Sequence, residues 1–214
     1  MDITNYVNST GISAPNAVAI PVDGFSGPPQ GGEDEVALDI EMVAAMAPGL
    51  SAIYVYEISP GDFIPDDLLS AMADPPAGIT LSKQISSSWT WAASDLDPEI
   101  PIIYEQYAAQ GQTYFQAAGD SGAYGVPGDA VAAPPDPIID TAMMPVVGGT
   151  ELTTTGPVNG TAGTYVSETT WNDAADKPGN SVGSGGICIN TAYGESLPIP
   201  LFQQAFIKAR DRGG

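Results

Sequence analysis

The sequence predicts an α/β fold built around a parallel sheet. Two observations lead to this fold class. Strand-like and helix-like segments alternate from residue 16 to residue 118, and the helical segments are bounded by glycine or proline. A parallel neighbour can be reached only through a long crossover connection, usually a helix, so this alternation is typical of parallel sheets. The 214 residues suffice for a sizeable core, and we predict one domain over residues 1–214.

The strands are identified by apolar, β-branched and aromatic residues between turn-forming clusters. The predicted strands are Asn16–Val22, Ser51–Glu57, Leu81–Ser88, Thr113–Ala118, Pro145–Leu152 and Tyr165–Trp171. The Thr- and Gly-rich residues 153–163 predict an exposed hairpin connection between the last two strands, and residues 173–186 predict a flexible loop.

The helices are identified by their ends as well as by their apolar spacing. Pro48 and Gly49 stop the second helix, Pro65 lies in the first turn of the third, and Gly111 follows the fourth at the position where left-handed backbone is common. The predicted helices are Ile3–Val7, Glu33–Met46, Pro65–Met72, Ile100–Gln110 and Pro200–Arg210.

The second predicted helix carries two carboxylates four residues apart, Glu35 and Asp39. On a helix this spacing puts them on one face with roughly 5–6 Å between their β-carbons, where like charges repel. We expect four apolar residues of this segment to be buried: Val36, Leu38, Ile40 and Val43. Carboxylates placed against a core indicate either acid–base chemistry or, more simply, a solvated acidic start of a helix that suits the helix dipole.

A further candidate acid, Asp120, lies in the segment Gly119-Asp120-Ser121-Gly122, which directly follows a predicted strand. Ligands of open α/β sheets bind beyond the carboxyl ends of the strands, and a turn bracketed by glycines can present Asp120 there. An ordinary Asx turn explains the same four residues without any function.

The charge balance narrows the classes of partner. The chain has 26 acidic and 5 basic residues, a formal charge of −21. We expect neither nucleic acid nor a membrane as a partner, because phosphates require a basic face and no transmembrane run is present. Self-repulsion among so many carboxylates is relieved as they protonate, which suits an acidic medium; a halophilic source is the alternative explanation.

The residue types that are missing limit the chemistry. The chain contains no histidine and one cysteine, Cys188. Ser-His and Cys-His nucleophile systems and histidine metal sites are therefore excluded within this chain. Cys188 has no basic neighbour in sequence that would lower its pKa, so we interpret it as structural. If this chain takes part in acid–base catalysis, carboxylates are the expected agents.

Several separated motifs, taken in order, resemble the sedolisins, the serine-carboxyl peptidases, and most closely their kumamolisin-like branch. The likeness extends from about residue 4 to residue 208, and no single motif carries it alone. The matching motifs are Glu35-Val-Ala-Leu-Asp39-Ile-Glu41, Ala47-Pro-Gly49, Ile53-Tyr-Val-Tyr56, Ala117-Ala-Gly-Asp120-Ser-Gly-Ala123, Val147-Gly-Gly-Thr150, Glu168-Thr-Thr-Trp171-Asn172 and Gly183-Ser-Gly-Gly186.

This resemblance implies a subtilisin-like α/β fold with a parallel sheet and helices on both faces, in a secreted precursor with a removable pro-segment. It implies that Glu35 is the general base for a serine, that Asp39 orients that glutamate, and that Asp120, when protonated, donates a hydrogen bond to the oxyanion. A carboxylate base and a carboxylic acid donor both favour low pH. The resemblance also implies a protein or peptide substrate and a monomer.

The chain departs from the family pattern in ways that limit the expectation. The family's nucleophile lies in a Gly-Thr-Ser motif, and no serine here has that setting: Gly149-Thr150 is followed by Glu151, and neither Ser121 nor Ser184 matches. We therefore expect a catalytic domain truncated at both ends and inactive by itself, with the nucleophile and the calcium site that the family implies lying beyond it. No cofactor is expected within the chain.

Trp89 matches a family position on the substrate side, and we interpret it either as a substrate contact or as a core residue. For Glu168 and Trp171 a core or loop-anchoring role is favoured. The loop at Asp129–Met144, which in the family helps to shape the specificity pocket, does not align cleanly with the family pattern. The preference for particular substrate residues therefore stays open.

These residues suggest three functions, which they support to different degrees. The first is a fragment of an extracellular, acid-acting endopeptidase. The second is a non-catalytic secreted binding or surface module on a decayed peptidase fold. The third, a glycosidase, is disfavoured because carboxylates four apart on one helix cannot flank a glycosidic bond from both sides. A truncated domain would leave sheet edges and apolar helix faces uncovered, so we expect marginal folding of the isolated chain.

Overall fold

The structure is a computed structural model. It describes residues 2–13, 15–28, 31–59, 64–89, 99–120, 122, 144–156, 163–173, 182–183, 189–190, 195–196 and 204. The chain divides into two compact units, Met1–Thr80 and Leu81–Gly214.

The first unit holds two parallel strands joined through a helix. Strand β1 (Asn16–Pro21) pairs with β2 (Ala52–Glu57) from Asn16↔Ala52 to Pro21↔Glu57. Helix α2 (Glu33–Met46) makes the crossover between them, α1 (Asp2–Thr10) packs on α2, and α3 (Pro65–Ala73) packs on β2. The buried apolar side chains of this unit are Ile20, Val22, Ile40, Ala44, Leu69 and Ala73.

The second unit contains a three-stranded parallel sheet in the order β3-β4-β5. The strands are β3 (Gln84–Ser87), β4 (Thr113–Ala117) and β5 (Val146–Val147), and helix α4 (Ile100–Ala109) connects the first two. Alternate residues of β4 are buried, and α4 packs on this strand. The buried apolar side chains of this unit are Ile85, Ile100, Ile103, Tyr104, Tyr107, Tyr114, Ala118 and Met144.

An antiparallel ribbon follows the sheet. Strand β6 (Thr150–Thr155) pairs with β7 (Thr164–Thr170), and every residue of both strands is exposed. The short strands β8 (Ile189–Asn190) and β9 (Glu195–Ser196) form a further antiparallel pair. Within the described ranges, no helix has both the length and the apolarity needed to cross a membrane.

The predicted parallel α/β architecture is confirmed, with three local corrections. The run predicted as one strand at Pro145–Leu152 is interrupted at Gly148-Gly149, so that β5 ends in one sheet and β6 begins in another. Strand β3 begins at Gln84 rather than at Leu81. Helix α1 is longer than predicted and runs to Thr10.

A fourth correction concerns burial on α2. Leu38 was expected in the core but is 53% exposed, whereas Ile40 is buried as expected. Two positions along a helix separate side chains by more than half a turn, so both residues cannot face the same core. The predicted helix Pro200–Arg210 lies outside the described residues except for Gln204, which is helical, and Cys188 also lies outside them.

Candidate active site

The beginning of α2 is set by a glycine turn. Gly32 has a φ of 80°, the left-handed backbone that glycine adopts most readily. Its carbonyl accepts the first helical hydrogen bond, from the Val36 N–H at 3.1 Å. The Glu33 carboxylate accepts a hydrogen bond from the Gly31 N–H at 3.2 Å. The first turn is entirely acidic, which complements the positive end of the helix dipole.

Glu35 and Asp39 lie one turn apart on a helix whose opposite face is buried. Ile40 and Ala44 form that buried face, which turns the acid pair away from the core. Both acids are partly buried. Because α2 is held by its buried face, the two carboxyl groups are carried side by side on one face of a fixed helix.

The face that carries the acids also bears apolar residues. Leu38 is 53% exposed, Met42 43% and Met46 85%, and all three follow Glu35 at helical spacings of three, seven and eleven. The acid pair therefore shares its face of α2 with exposed apolar side chains.

A second pair of carboxyl groups lies elsewhere in the first unit. Asp23 follows β1 in a turn with a φ of 52°, and Asp67 lies in the first turn of α3. Burial raises the pKa of Asp67, and the charges of Asp23 and Asp66 and a hydrogen bond with Asp23 raise it further. This contact is favoured when Asp67 carries its proton.

In the second unit, Trp89 and Asp120 lie at the same edge of one sheet. Trp89 follows β3, Asp120 follows β4, and these strands are parallel, so their carboxyl ends meet at one edge. Asp120 is exposed and Trp89 is 50% exposed. An exposed acid and an exposed aromatic at this edge have the placement that ligand-binding residues take in α/β sheets.

Backbone hydrogen bonds hold the turn around Asp120. The Asp120 carbonyl accepts from the Val182 N–H at 3.0 Å, and the Val182 carbonyl accepts from the Gly122 N–H at 3.1 Å. Gly122 has a φ of +80°, and a β-carbon there would lie 3.0 Å from the Val182 Cγ2. Only glycine fits this position without displacing Val182, which explains the second glycine of the predicted motif.

Trp171 anchors the segments that follow β5 and β7. The backbone N–H of Trp171 donates to the Gly149 carbonyl at 3.1 Å, and the backbone carbonyl of Trp171 accepts from the Gly183 N–H at 3.1 Å. A β-carbon on Gly149 would lie 3.0 Å from the indole Cε3. Glu168 accepts a hydrogen bond from the Thr150 hydroxyl at 2.5 Å across the ribbon. The loop-anchoring interpretation of Trp171 and Glu168 therefore agrees with their contacts.

Sequence reasoning missed Gln116. This side chain is only 1% exposed, and its amide Nε2 donates to the Trp89 carbonyl at 2.9 Å. The available signal was a glutamine at an inward position of an alternating strand. Burial of an amide is unfavourable unless it is hydrogen-bonded, so such a residue points to a specific polar contact.

The predicted site residues thus fall into two groups. The first unit carries Glu35 and Asp39 on one face of α2, and the second carries Trp89 and Asp120 at the carboxyl edge of its parallel sheet. Ser121, Ser184 and residues 129–143 of the loop predicted to shape a specificity pocket lie outside the described residues. In the part of the chain that is described, no cluster of three or more His, Cys, Asp or Glu side chains could hold a metal ion.

Two curated proteins match this chain over most of its length, while no protein-family model matches it. It is 31% identical to kumamolisin from Bacillus sp. (strain MN-32) over 212 residues, which cover 94% of this chain and 35% of that protein. It is 25% identical to sedolisin from Pseudomonas sp. (strain 101) over 198 residues, which cover 86% of this chain and 33% of that protein. The chain thus spans about a third of the length of these relatives. From these matches and the parallel α/β fold, the chain belongs to the sedolisin family of serine-carboxyl peptidases and is kumamolisin-like.

Proposed function

We propose that this chain supplies the general base, its orienting acid and the oxyanion donor of an acid-acting, secreted serine-carboxyl endopeptidase. The observation that carries the proposal is the Glu35–Asp39 pair on the face of α2 opposite its buried residues, in a histidine-free chain similar to kumamolisin. The residue roles come from the family motifs that these positions match.

In the proposed reaction Glu35 removes the proton from a serine hydroxyl as the serine oxygen attacks the scissile carbonyl carbon. Asp39 holds the Glu35 carboxyl in the orientation for that transfer. Protonated Asp120 donates a hydrogen bond to the oxygen that becomes negative. The C–N bond then breaks as Glu35 returns the proton to the leaving amine, and water hydrolyses the acyl-enzyme through the same groups in reverse order.

Low pH is the natural medium for this set of groups. A glutamate base is weak at neutral pH and well matched to acid conditions, and Asp120 can donate to an oxyanion only while it carries its proton. The excess of 26 acidic over 5 basic residues and the Asp23–Asp67 contact, which favours a protonated carboxyl, point in the same direction. Both features reduce the charge repulsion of the folded chain as the pH falls.

The nucleophilic serine is proposed to lie outside these 214 residues, because no serine among them has the Gly-Thr-Ser setting of the family. The 214-residue polypeptide should then fail to hydrolyse casein at pH 4, whereas the gene product that includes the Gly-Thr-Ser motif should hydrolyse it. Hydrolysis by the 214-residue chain alone, abolished by substitution of Glu35, would refute this placement of the nucleophile.

The lack of a serine in the Gly-Thr-Ser setting also favours a second function. A chain whose serines all lack the nucleophile setting is also compatible with a non-catalytic secreted module that binds peptides on a peptidase fold. The two functions differ in the reading frame after Gly214: a Gly-Thr-Ser followed by proline supports the peptidase, and a frame without it supports the binding module.

A further inference from the structure

The buried side chain of Gln116 has hydrogen-bond partners at both its amide nitrogen and its amide oxygen. Its Nε2 donates to the carbonyls of Trp89 at 2.9 Å, Ala117 at 3.3 Å and Ser87 at 3.4 Å. Its Oε1 accepts from the Tyr114 hydroxyl at 2.9 Å. The three carbonyls can only accept hydrogen bonds, so the amide has one chemically sensible orientation. Burial raises the pKa of Tyr114, and its hydroxyl therefore remains a donor.

These contacts occur where the sheet ladder stops. The last register pair between β3 and β4 is Ser87↔Gln116, and the chain then leaves the sheet towards Trp89. Beyond that pair, the Trp89 carbonyl is held by two side chains, the amide of Gln116 and the hydroxyl of Ser87 at 3.1 Å. The side chain of Gln116 thus extends the attachment of β3 two residues past the end of its backbone pairing.

The attached residue lies at the edge that carries the candidate site. Trp89 has half of its surface exposed, and it shares the carboxyl edge of the parallel sheet with Asp120. We propose that Gln116 is a positioning residue for substrate binding: by holding the Trp89 carbonyl, it fixes where the indole stands for a peptide substrate. This proposal rests on the proposed peptidase function and takes Trp89 as a substrate contact, one of the two interpretations of its match to the family.

Gln112 provides a matched comparison for a purely structural role. It is also a buried glutamine, 5% exposed, and its Nε2 donates to the Ser82 carbonyl at 2.9 Å. That contact joins the same two chain segments at the amino end of β4 instead of the carboxyl end. If both glutamines only stabilise the sheet, replacing either one with methionine should affect Trp89 equally.

The test follows the environment of Trp89 in the full 214-residue chain carrying W91F and W171F, so that Trp89 is the one remaining tryptophan. We expect Q116M to increase the population in which Trp89 is displaced by about two- to ten-fold, the effect of losing one hydrogen bond. Acrylamide quenching and the emission maximum of Trp89 would report it. Q112M should leave both unchanged. Equal changes in Q116M and Q112M, or none in Q116M, would overturn the proposal.

A conservative variant keeps the test decisive if Q116M does not fold. In Q116E, a protonated carboxyl can still donate one hydrogen bond to the Trp89 carbonyl, whereas an ionised one faces three carbonyl oxygens and cannot. Trp89 quenching in Q116E should match the parent at pH 4 and increase at pH 8. A quenching constant with the same pH dependence in Q116E and in the parent would contradict the positioning role.

Peptide binding separates this inference from the proposed function. The probe is a peptic digest of casein, titrated at pH 4 with Trp89 emission as the signal. We expect Q116M to weaken binding about two- to ten-fold and Q112M to leave it unchanged. If Q116M displaces Trp89 but the parent chain binds no peptide, the contact between Gln116 and Trp89 stands, while the substrate role of Trp89 and the proposed function both fail.

Discussion

Glu35 and Asp39 lie one helical turn apart on the face of α2 that is opposite the buried Ile40 and Ala44. The buried face fixes the rotation of the helix, and therefore it fixes where both carboxyl groups point. Leu38 and Met42 lie on the same exposed face of the helix. The proposed role of Glu35 as a general base depends on this fixed placement.

The first prediction concerns Glu35. In the gene product that contains the nucleophile, E35Q should lower kcat for casein at pH 4 by about 10²- to 10⁴-fold, because glutamine cannot accept the serine proton. The matched control is E41Q, which removes a carboxylate from the same helix but not from the pair. Full activity in E35Q, or an equal loss in E41Q, would contradict the proposed base.

The second prediction distinguishes two substitutions of Asp120. D120A removes the oxyanion donor and should lower kcat by about 10²- to 10³-fold. D120N keeps an N–H donor that does not depend on pH, so it should retain more activity than D120A. At pH 4, kcat should therefore decrease in the order parent, D120N, D120A. A kcat in D120A equal to that of the parent would exclude the role.

The third prediction concerns the pH dependence of stability. The folded-state pKa of Asp67 is raised by burial and by Asp23 and Asp66. The stability contributed by the protonated carboxyl is therefore fully present below its ordinary pKa and is lost as the pH rises through the raised value. D67N should increase the free energy of unfolding at pH 7, by up to about 1 kcal/mol for a partly exposed group, and should not increase it at pH 3.

Urea unfolding at both pH values measures this effect. D34N serves as the control, because Asp34 is an exposed acid in the first turn of α2, where its charge favours the helix. It should not stabilise the chain at pH 7. A gain in D67N that is the same at pH 3 and pH 7 would show that Asp67 acts by something other than its charge.

The fourth prediction concerns the turn that carries Asp120. Gly122 and Gly111 both have positive φ, +80° and +69°, but only at Gly122 would a β-carbon meet another atom, the Val182 Cγ2 at 3.0 Å. G111A should cost about 1–2 kcal/mol from backbone strain alone. G122A adds a steric clash and should cost more, by thermal or urea unfolding. A smaller loss of unfolding free energy in G122A than in G111A would show that the Val182 side chain moves aside at no measurable cost.

The secondary structure and the acid pair were largely predictable because both depend on local pattern. The alternation of segments, the glycine before α2 and the spacing of Glu35 and Asp39 all lie within short stretches of sequence. Leu38 was assigned wrongly to the core for a related reason. Apolar residues occur on both faces of α2, and the sequence does not state which face is covered.

Contacts between distant segments could not be predicted in the same way. Gln116 and Trp89 are 27 residues apart, and Asp120 and Val182 are farther apart still. The break at Gly148-Gly149 separates two strands that look like one apolar run, because the choice of sheet depends on which neighbour accepts the backbone hydrogen bonds. Local propensity contains no information about those partners.

The sequence by itself limited the chemistry that this chain can carry: it has no histidine, a large excess of carboxyls, and acids placed on a helix and after a strand, in an order that resembles the sedolisins. Tertiary structure alone decided which face of α2 is exposed, and which side chains hold the ends of β3 and β4. The physical reason is that residue type sets the charge and the protons that a group can exchange, whereas burial and hydrogen-bond partners arise only when distant segments pack together.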